Sequence, residues 1–390
     1  MKKLLLVSKG LSTGGIETSL VNIANELSHF YQVDLFLYDP TGVMKSRLNP
    51  SIQILPVSRR INALGLSFKR VFRSGNPGMI WFRLWATAWT KLFSNKFPMS
   101  IALRRQKKMA GYDLAIAFHH ESRRHVPGTG FARVVEHCVE AKMKAVWLHY
   151  DCGFLDLDSV YHQQFYQNLD KIVCVSRSLQ QRYQEKFPHL RDKVDYCYNF
   201  LNIQELTQSS TEPQAVEYPR GKRICFSACR LAPEKALSRG VRCLAPVFRE
   251  HPELMWYIAG NGLQRPAIEE EIKAQGLEQQ VILLGNLSNP YPYMKNADLL
   301  MNVSYHEAAP MVFLEAKALG VPVFATETSS ARELLADHPN SWICENTEKG
   351  IHDTFCRWVS HPSQEKTPKI SQEVNAPSLE KLRQWLGDRP

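Results

Sequence analysis

Between Pro40 and Tyr112 the sequence contains no aspartate or glutamate. A stretch of that length without acids cannot neutralise its own basic residues, so its charge is left for solvent or for an anionic partner. Other absences narrow the class. No apolar run approaches the roughly 18 residues of a membrane-spanning helix. The run Leu4-Leu-Leu-Val7 behind Met1-Lys-Lys is shorter than the about 7 to 15 apolar residues of a secretory leader, and reads as a buried first strand. No C-x-x-C pair occurs among the nine cysteines. Their number is odd, Cys174, Cys225 and Cys344 sit in apolar strand-like runs, and the Cys225/Cys229 spacing has no second pair to match it. They read as reduced, buried thiols of a cytoplasmic protein, not as a disulfide framework or a zinc site.

What is present describes a globular protein. The 390 residues are 44% hydrophobic and 22% charged, enough for two or three domains with cores of their own. The acid-free stretch carries 14 basic residues: Lys45, Arg47, Arg59, Arg60, Lys69, Arg70, Arg73, Arg83, Lys91, Lys96, Arg104, Arg105, Lys107 and Lys108. Those 14 of the 48 basic residues leave 34 against 38 acidic ones elsewhere, so the formal charge of +10 is local. Aromatics are interleaved with them. Trp81, Trp85 and Trp89 recur every four residues, on one face of a helix. Three readings compete for residues 40–112: a domain insert with an aromatic core and a solvated basic face, a nucleic-acid surface, or a face that lies on an anionic membrane.

Around this segment, apolar strand-like runs alternate with helical patterns. Leu4 to Val7 is a strand, Ile16 to Leu27 a helix and Val33 to Tyr38 a strand; Tyr112 to Phe118, Lys144 to His149 and Lys171 to Ser176 continue the series. The polar stretch from Thr207 to Gly221 reads as linker or loop, and a second alternation starts at Arg223. The domains expected are 1–202, which contains the basic insert, then 203–362, and a tail with a last helix over 363–390, where Ser378 is the candidate N-cap. Two successive βα arrays predict an α/β protein of two Rossmann-like domains facing a cleft.

The most informative stretch is 298–325. Asp298 to Ser304 reads as a strand that feeds a polar turn with Glu307. Pro310 suits the first turn of a helix carrying Glu315, Gly320 ends that helix, and Val321 to Ala325 reads as the next strand. Glu307 and Glu315 both belong near the carboxyl ends of parallel strands, where such sheets bind ligands. Two more loops follow strands. Cys229-Arg230-Leu-Ala-Pro-Glu-Lys235 places two cations where a departing diphosphate would need its charge neutralised. Gly14-Gly15 opens the first helix, whose amides suit an anion, although the loop is not a G-x-G-x-x-G.

Glu307, seven residues, Glu315 and then Ala-Lys-Ala-Leu-Gly-Val-Pro-Val resembles the E-x7-E motif of family 4 retaining nucleotide-sugar glycosyltransferases with the two-domain GT-B fold. Arg230 and Lys235 resemble the charged positions of that family's G-R-L-x-x-x-K-G, with Cys229 and Ala236 at the two glycines. Gly260-Asn-Gly262 is similar to its G-x-G loop, Leu284 to Tyr291 to the loop framing the nucleobase, and Tyr198-Asn199 to its Tyr-Asn-Gly junction, with Phe200 for glycine. The resemblance implies sugar transfer to a glycan or lipid-linked hydroxyl with retention of configuration, in cell-surface polysaccharide or lipopolysaccharide synthesis. It implies Glu307, Arg230, Lys235 and His149 as catalytic, with Glu307 on the sugar and the two cations on the diphosphate. It implies Glu315 on the ribose, and Gly14, Gly15, Gly260, Asn261, Gly285, Asn289, Ala309, Pro310, Met311 and Val312 at the donor. It implies no cofactor and no metal, and the second half of the chain contains no Asp-x-Asp. It also implies a last helix that returns to the first domain and work at the inner face of the plasma membrane. That favours the membrane reading of 40–112 and puts nucleic acid last. The alternatives are a GT-B isomerase or phosphorylase, or a sugar-nucleotide or nucleic-acid binding protein without activity.

Overall fold

The computed structural model describes residues 1–121, 127–151, 164–361 and 374–388. These form two compact units, Met1–Phe200 with Asn375–Pro390, and Leu201–Val374.

The first unit is built on strands β1 (Lys3–Ser8), β2 (Gln32–Leu37), β3 (Gln53–Ile54), β4 (Met109–Ala117), β5 (Val139–Leu148), β6 (Lys171–Cys174) and β7 (Val194–Tyr196), in the order β3-β2-β1-β4-β5-β6-β7. The second has β8 (Arg223–Ala228), β9 (Leu254–Ala259), β10 (Val281–Gly285), β11 (Leu299–Asn302), β12 (Val323–Thr326) and β13 (Ser341–Cys344), in the order β10-β9-β8-β11-β12-β13. Every pairing is parallel. Strands buried on both faces are apolar along their whole length rather than alternating, as Leu4 to Val7 and Leu254 to Ala259 are. The expected α/β class, with two parallel-sheet Rossmann-like domains, is what the chain adopts.

The two sheets share one topological device. β1 lies between β2 and β4, and β8 between β9 and β11. At each of these points the strand order reverses, so the loops leaving the two central strands diverge and open a crevice at their carboxyl ends.

Some local expectations shift by a residue or a turn. Pro310 is the N-cap of the helix Met311–Leu319 rather than its first residue, with φ −67° and an extended ψ of 125°. The locked proline φ suits either place. Gly320 closes the helix at φ 71°, in the left-handed region that glycine enters without penalty. The polar stretch expected as loop from Thr207 begins inside a helix, Ile203–Ser209, which Asn202 caps by accepting the Glu205 N–H at 3.0 Å. The last helix runs Ala376–Leu386 with Asn375, not Ser378, as N-cap. Ser378 is buried within it and donates to the Tyr198 carbonyl at 3.1 Å. That helix is tied into the first unit, where Lys381 and the Trp385 indole both reach Asp195, at 2.6 and 3.1 Å. Of the tail expected from residue 363, the part up to 373 lies outside the described residues. Phe200, at the expected junction glycine, is fully buried, and its carbonyl accepts from Asn22 at 2.8 Å.

Candidate active site

In the second unit the loops after β8 and β11 flank the switch point. The first begins as a backbone clasp. Cys229 N–H donates to Ala259 O and Leu231 N–H to Asn261 O, both at 3.0 Å, while Gly260 N–H donates to Gly285 O at 2.7 Å. The loops after β8, β9 and β10 are therefore layered on one another. Gly260 and Gly262 are required by this contact. A Cβ on Gly260 would stand 1.8 Å from Cys229 O, and one on Gly262 2.2 Å from Leu231 O. Gly260 also has φ 131°. The G-x-G loop thus serves close approach of backbone to backbone, and Asn261 folds its side chain onto the Gly262 N–H at 2.8 Å. Gly285, at φ 74°, makes the turn out of β10.

After the clasp, Pro233–Lys235 form one 3₁₀ turn that ends at Ala236, the one non-glycine residue with positive φ (52°) among the described residues. This is the position at which the family resemblance expects glycine. The left-handed conformation is kept, at a steric cost on the order of 1 kcal/mol for alanine. The turn sends Lys235 across the switch point, where its Nζ lies 2.6 Å from Glu307 Oε1. Arg230 is exposed, and its guanidinium donates to Glu234 Oε1 at 2.9 Å.

Glu307 is held from several sides. Its Oε1 also accepts from Ser304 Oγ at 2.8 Å and Asn302 Nδ2 at 3.1 Å. Its carbonyl accepts from Ser329 Oγ at 2.8 Å. The loop that carries it is anchored by Thr326 Oγ1 on Ser304 O at 2.6 Å, by Arg239 Nη2 on Val303 O at 2.8 Å, and by Tyr305 N–H on Glu234 O at 2.9 Å. Burial alone would lower the Lys235 ammonium pKa. The Glu307 charge and hydrogen bond more than offset this, so its pKa lies above the ordinary lysine value and Lys235 stays an ammonium at neutral pH. An ammonium has three donors, so a lysine engaged with one carboxylate oxygen can still bind a phosphate oxygen.

Glu315 lies on the helix Met311–Leu319, is buried, and accepts from the Tyr291 hydroxyl at 3.3 Å. Ala309 and Pro310 lead into that helix; Met311 is buried and Val312 half-buried on its first turn. The Asn289 side chain is taken up by the protein. It donates to Ser209 O and Glu212 Oε2, both at 2.8 Å, and accepts from Tyr291 N–H at 3.1 Å. It ties its loop down rather than being left for a ligand.

In the first unit, Gly14 and Gly15 begin the helix Gly15–Ser28 after β1. A Cβ on Gly14 would meet the Glu17 carboxylate at 2.4 Å. His149 follows β5, half-buried against Phe118 and Trp147, with ring centroids 4.6 and 6.4 Å away. Burial and the neighbouring His120 push its pKa down to about 3, so it is a neutral imidazole. His119, at the end of β4, is driven well down by the same causes. The Nε2 atoms of both are buried without a partner among the described residues.

The structure therefore joins Lys235 to Glu307 directly and places Glu315 on the helix that follows. The residues not anticipated from sequence are Asn302 and Ser304, which fix Oε1 of Glu307, and Tyr291 in its contact with Glu315. Asn302 and Ser304 stand two apart at the end of an apolar strand, a spacing that puts both on one side; that polar pair was the available signal. One Asp-x-Asp, Asp156-Leu-Asp158, occurs in the first half of the chain and lies outside the described residues.

Residues 208–373 match the family described as glycosyl transferases group 1. An uncharacterized glycosyltransferase of Methanocaldococcus jannaschii is 26% identical over 183 residues, 46% of this chain and 45% of the relative. A Campylobacter jejuni relative, N-acetylgalactosamine-N,N'-diacetylbacillosaminyl-diphospho-undecaprenol 4-alpha-N-acetylgalactosaminyltransferase, is 24% identical over 220 residues, 56% of this chain and 58% of that protein. The chain spans about half the length of the curated relatives it matches. Among solved structures, Staphylococcus aureus TarM, crystallised with fondaparinux, alpha-GlcNAc-glycerol and UDP, aligns over 100% of both chains with a TM-score of 0.67 and 12% identity, a likeness of fold. The stretch that matches the group 1 glycosyl transferases holds Lys235, Glu307 and Glu315, and the fold is the one that GT-B glycosyltransferases share.

Proposed function

We propose that the chain moves a sugar from a nucleoside-diphosphate sugar to a hydroxyl of a glycan or lipid-linked acceptor, with retention at the anomeric carbon and without a metal. The observation that carries this reading is the Lys235–Glu307 pair across the β8/β11 switch point, followed by buried Glu315. Glu307 directs its second carboxylate oxygen to the sugar hydroxyls. Lys235 bridges that carboxylate to the diphosphate, with exposed Arg230 closing on the same charge. Glu315 accepts from the ribose hydroxyls, and the backbone of the loops at 260–262, 285–289 and 309–312 lines the nucleotide. His149 and the Gly14-Gly15 turn are the candidate residues of the first unit, taken by itself.

In the reaction, the bond between the anomeric carbon and the diphosphate oxygen breaks, and the diphosphate keeps the electron pair. The acceptor oxygen bonds to the carbon on the same face, and its proton passes to the leaving diphosphate, so no protein nucleophile is needed. Fixed cations in a partly desolvated site stabilise the departing charge. The Campylobacter relative, named for a diphospho-undecaprenol-linked substrate, supports a lipid-linked acceptor. UDP in the TarM structure makes uridine the first nucleoside to try.

The test is diphosphate release from UDP-sugars, then GDP- and ADP-sugars, with and without glycan and lipid-linked acceptors, with the anomeric configuration of the product read by NMR. Acceptor-dependent release with retention is expected. Turnover without any acceptor would indicate an isomerase or phosphorylase, and binding without turnover a sugar-nucleotide binding protein.

A further inference from the structure

The helix Pro77–Leu92 is built inside out. Its inward face carries Met79, Ala86 and two polar residues, Arg83 and Thr90, all buried. Arg83, 8% exposed, donates to Leu64 O at 2.6 Å at the end of the helix Arg59–Gly65, and lies 4.9 Å over the Phe68 ring. It supplies a cation to carbonyls that a helix end leaves unsatisfied. The outward stripe is apolar instead. Trp81, Leu84, Trp85, Ala88 and Leu92 share one face of the helix, each three or four residues from another of the set, and are all exposed, Trp81 at 72% and Leu92 at 75%. Phe93 and Phe97 continue the ridge, with the Phe97 ring 6.0 Å from Trp85 and 5.1 Å from Trp89. A solvent-facing stripe of this kind marks an interaction site.

We infer that this ridge is a membrane-docking surface, and that its partner is an anionic lipid bilayer. The charge of the surroundings selects that occupant. Lys69 and Arg73 on the helix Phe68–Arg73, Lys91 on the ridge helix itself and Lys96 just beyond it are exposed, and no acid occurs from 40 to 112. A second copy of the same face would meet like charge. The rings of Trp85, Trp89, Phe93 and Phe97 pack on one another, Trp89 against Phe93 at 4.6 Å, so these faces are not splayed for nucleotide bases. Leu84 and Leu92 on the same stripe have no stacking use but suit an acyl layer. Tryptophan and basic residues together are the composition of helices that lie in the headgroup region. This surface is in the first unit and does not depend on the chemistry assigned to the second.

The experiment is co-sedimentation of the full chain with phosphatidylcholine vesicles, with and without phosphatidylglycerol. Binding is expected only with the anionic lipid, and it weakens with salt because the charges act through a screening atmosphere. Trp81→Ser with Leu92→Ser is expected to weaken binding on the order of tenfold, as Leu92→Ser alone does to a lesser degree. Lys69→Glu with Lys91→Glu is expected to cost roughly tenfold or more. Nucleoside-diphosphate binding should stay unchanged in all of them, which separates failure here from failure of the catalytic reading. Equal binding to both vesicles, no binding, or wild-type binding by the Trp81/Leu92 variant would overturn the inference. So would a dimer that the same variant dissolves, or an RNA affinity that it abolishes.

Discussion

The two switch points are alike in topology and opposite in chemistry. Between β8 and β11 the loops bring charge: Lys235 and Glu307 meet as an ion pair, and Ser304 and Asn302 fix one carboxylate oxygen. Beyond β4 and β5 the first unit offers His119 and His149, neutral imidazoles among Phe118, Trp147 and Phe131, with buried nitrogens that lack partners among the described residues. One sheet end carries a fixed ion pair, the other neutral rings with unpartnered nitrogens among the described residues. The difference shows that strand order fixes where a site lies, while the residues at the strand ends decide what it can bind.

Lys235→Ala is the sharpest way to break that contrast. Turnover should fall by about two to three orders of magnitude or more, while the fold still melts cooperatively at a reduced Tm because Glu307 loses its cation. Near wild-type turnover in the purified variant would contradict the role given to Lys235. Gly260→Ala strikes the clasp beneath the same site. Its Cβ would fall 1.8 Å from Cys229 O, and a loss of roughly 2–4 kcal/mol is expected from denaturant melts. Gly276→Ala is the control. It too has a positive φ, 68°, but nothing within 4 Å of the new Cβ, so about 1 kcal/mol is expected.

The neutral side is sharpened by pH. His149 has its pKa lowered from 6.5 to about 3 by burial and by His120. The unfolded chain therefore binds a proton that the native one refuses, and stability contributed by the neutral ring is lost as pH falls from 6.5 toward 3. His149→Gln should make the fall of Tm over that range shallower; an unchanged slope would mean that His149 is not held neutral. The smallest effect is expected at Ala236, where Ala236→Gly relieves the left-handed strain but adds unfolded-chain entropy. A net gain of about 0.5 kcal/mol in a denaturant melt is expected, and a loss would show that the turn is not strained.

Much of this was legible in the chain. The apolar runs located most strands of both sheets to within a few residues, but not the short edge strands β3 and β7, and β5 begins at Val139, ahead of the expected Lys144; Gly320 ended its helix in the left-handed conformation expected of a C-cap glycine. Glu307 and Lys235 were identifiable as candidates from spacing and resemblance, but their contact was not, because it spans 72 residues and depends on β8 and β11 being neighbours. The side-chain commitment of Asn289 was hidden for the same reason, since its partners Ser209 and Glu212 come from a distant segment. The tryptophan period correctly gave a helix over 81–89. It could not say which face points outward, because Arg83 and Thr90 on the buried side invert the usual rule.

The account turns on whether Lys235 is the cation for a nucleoside diphosphate. The most direct measurement is the thermal shift of wild type and Lys235→Ala with UDP, GDP and ADP and with the matching nucleosides, each with and without EDTA. A ligand that binds only the folded state raises Tm by mass action. One diphosphate should stabilise the wild type regardless of EDTA and lose most of that effect in Lys235→Ala, while the nucleoside acts equally on both. A shift that survives in the variant, or no shift with any diphosphate, would contradict the account.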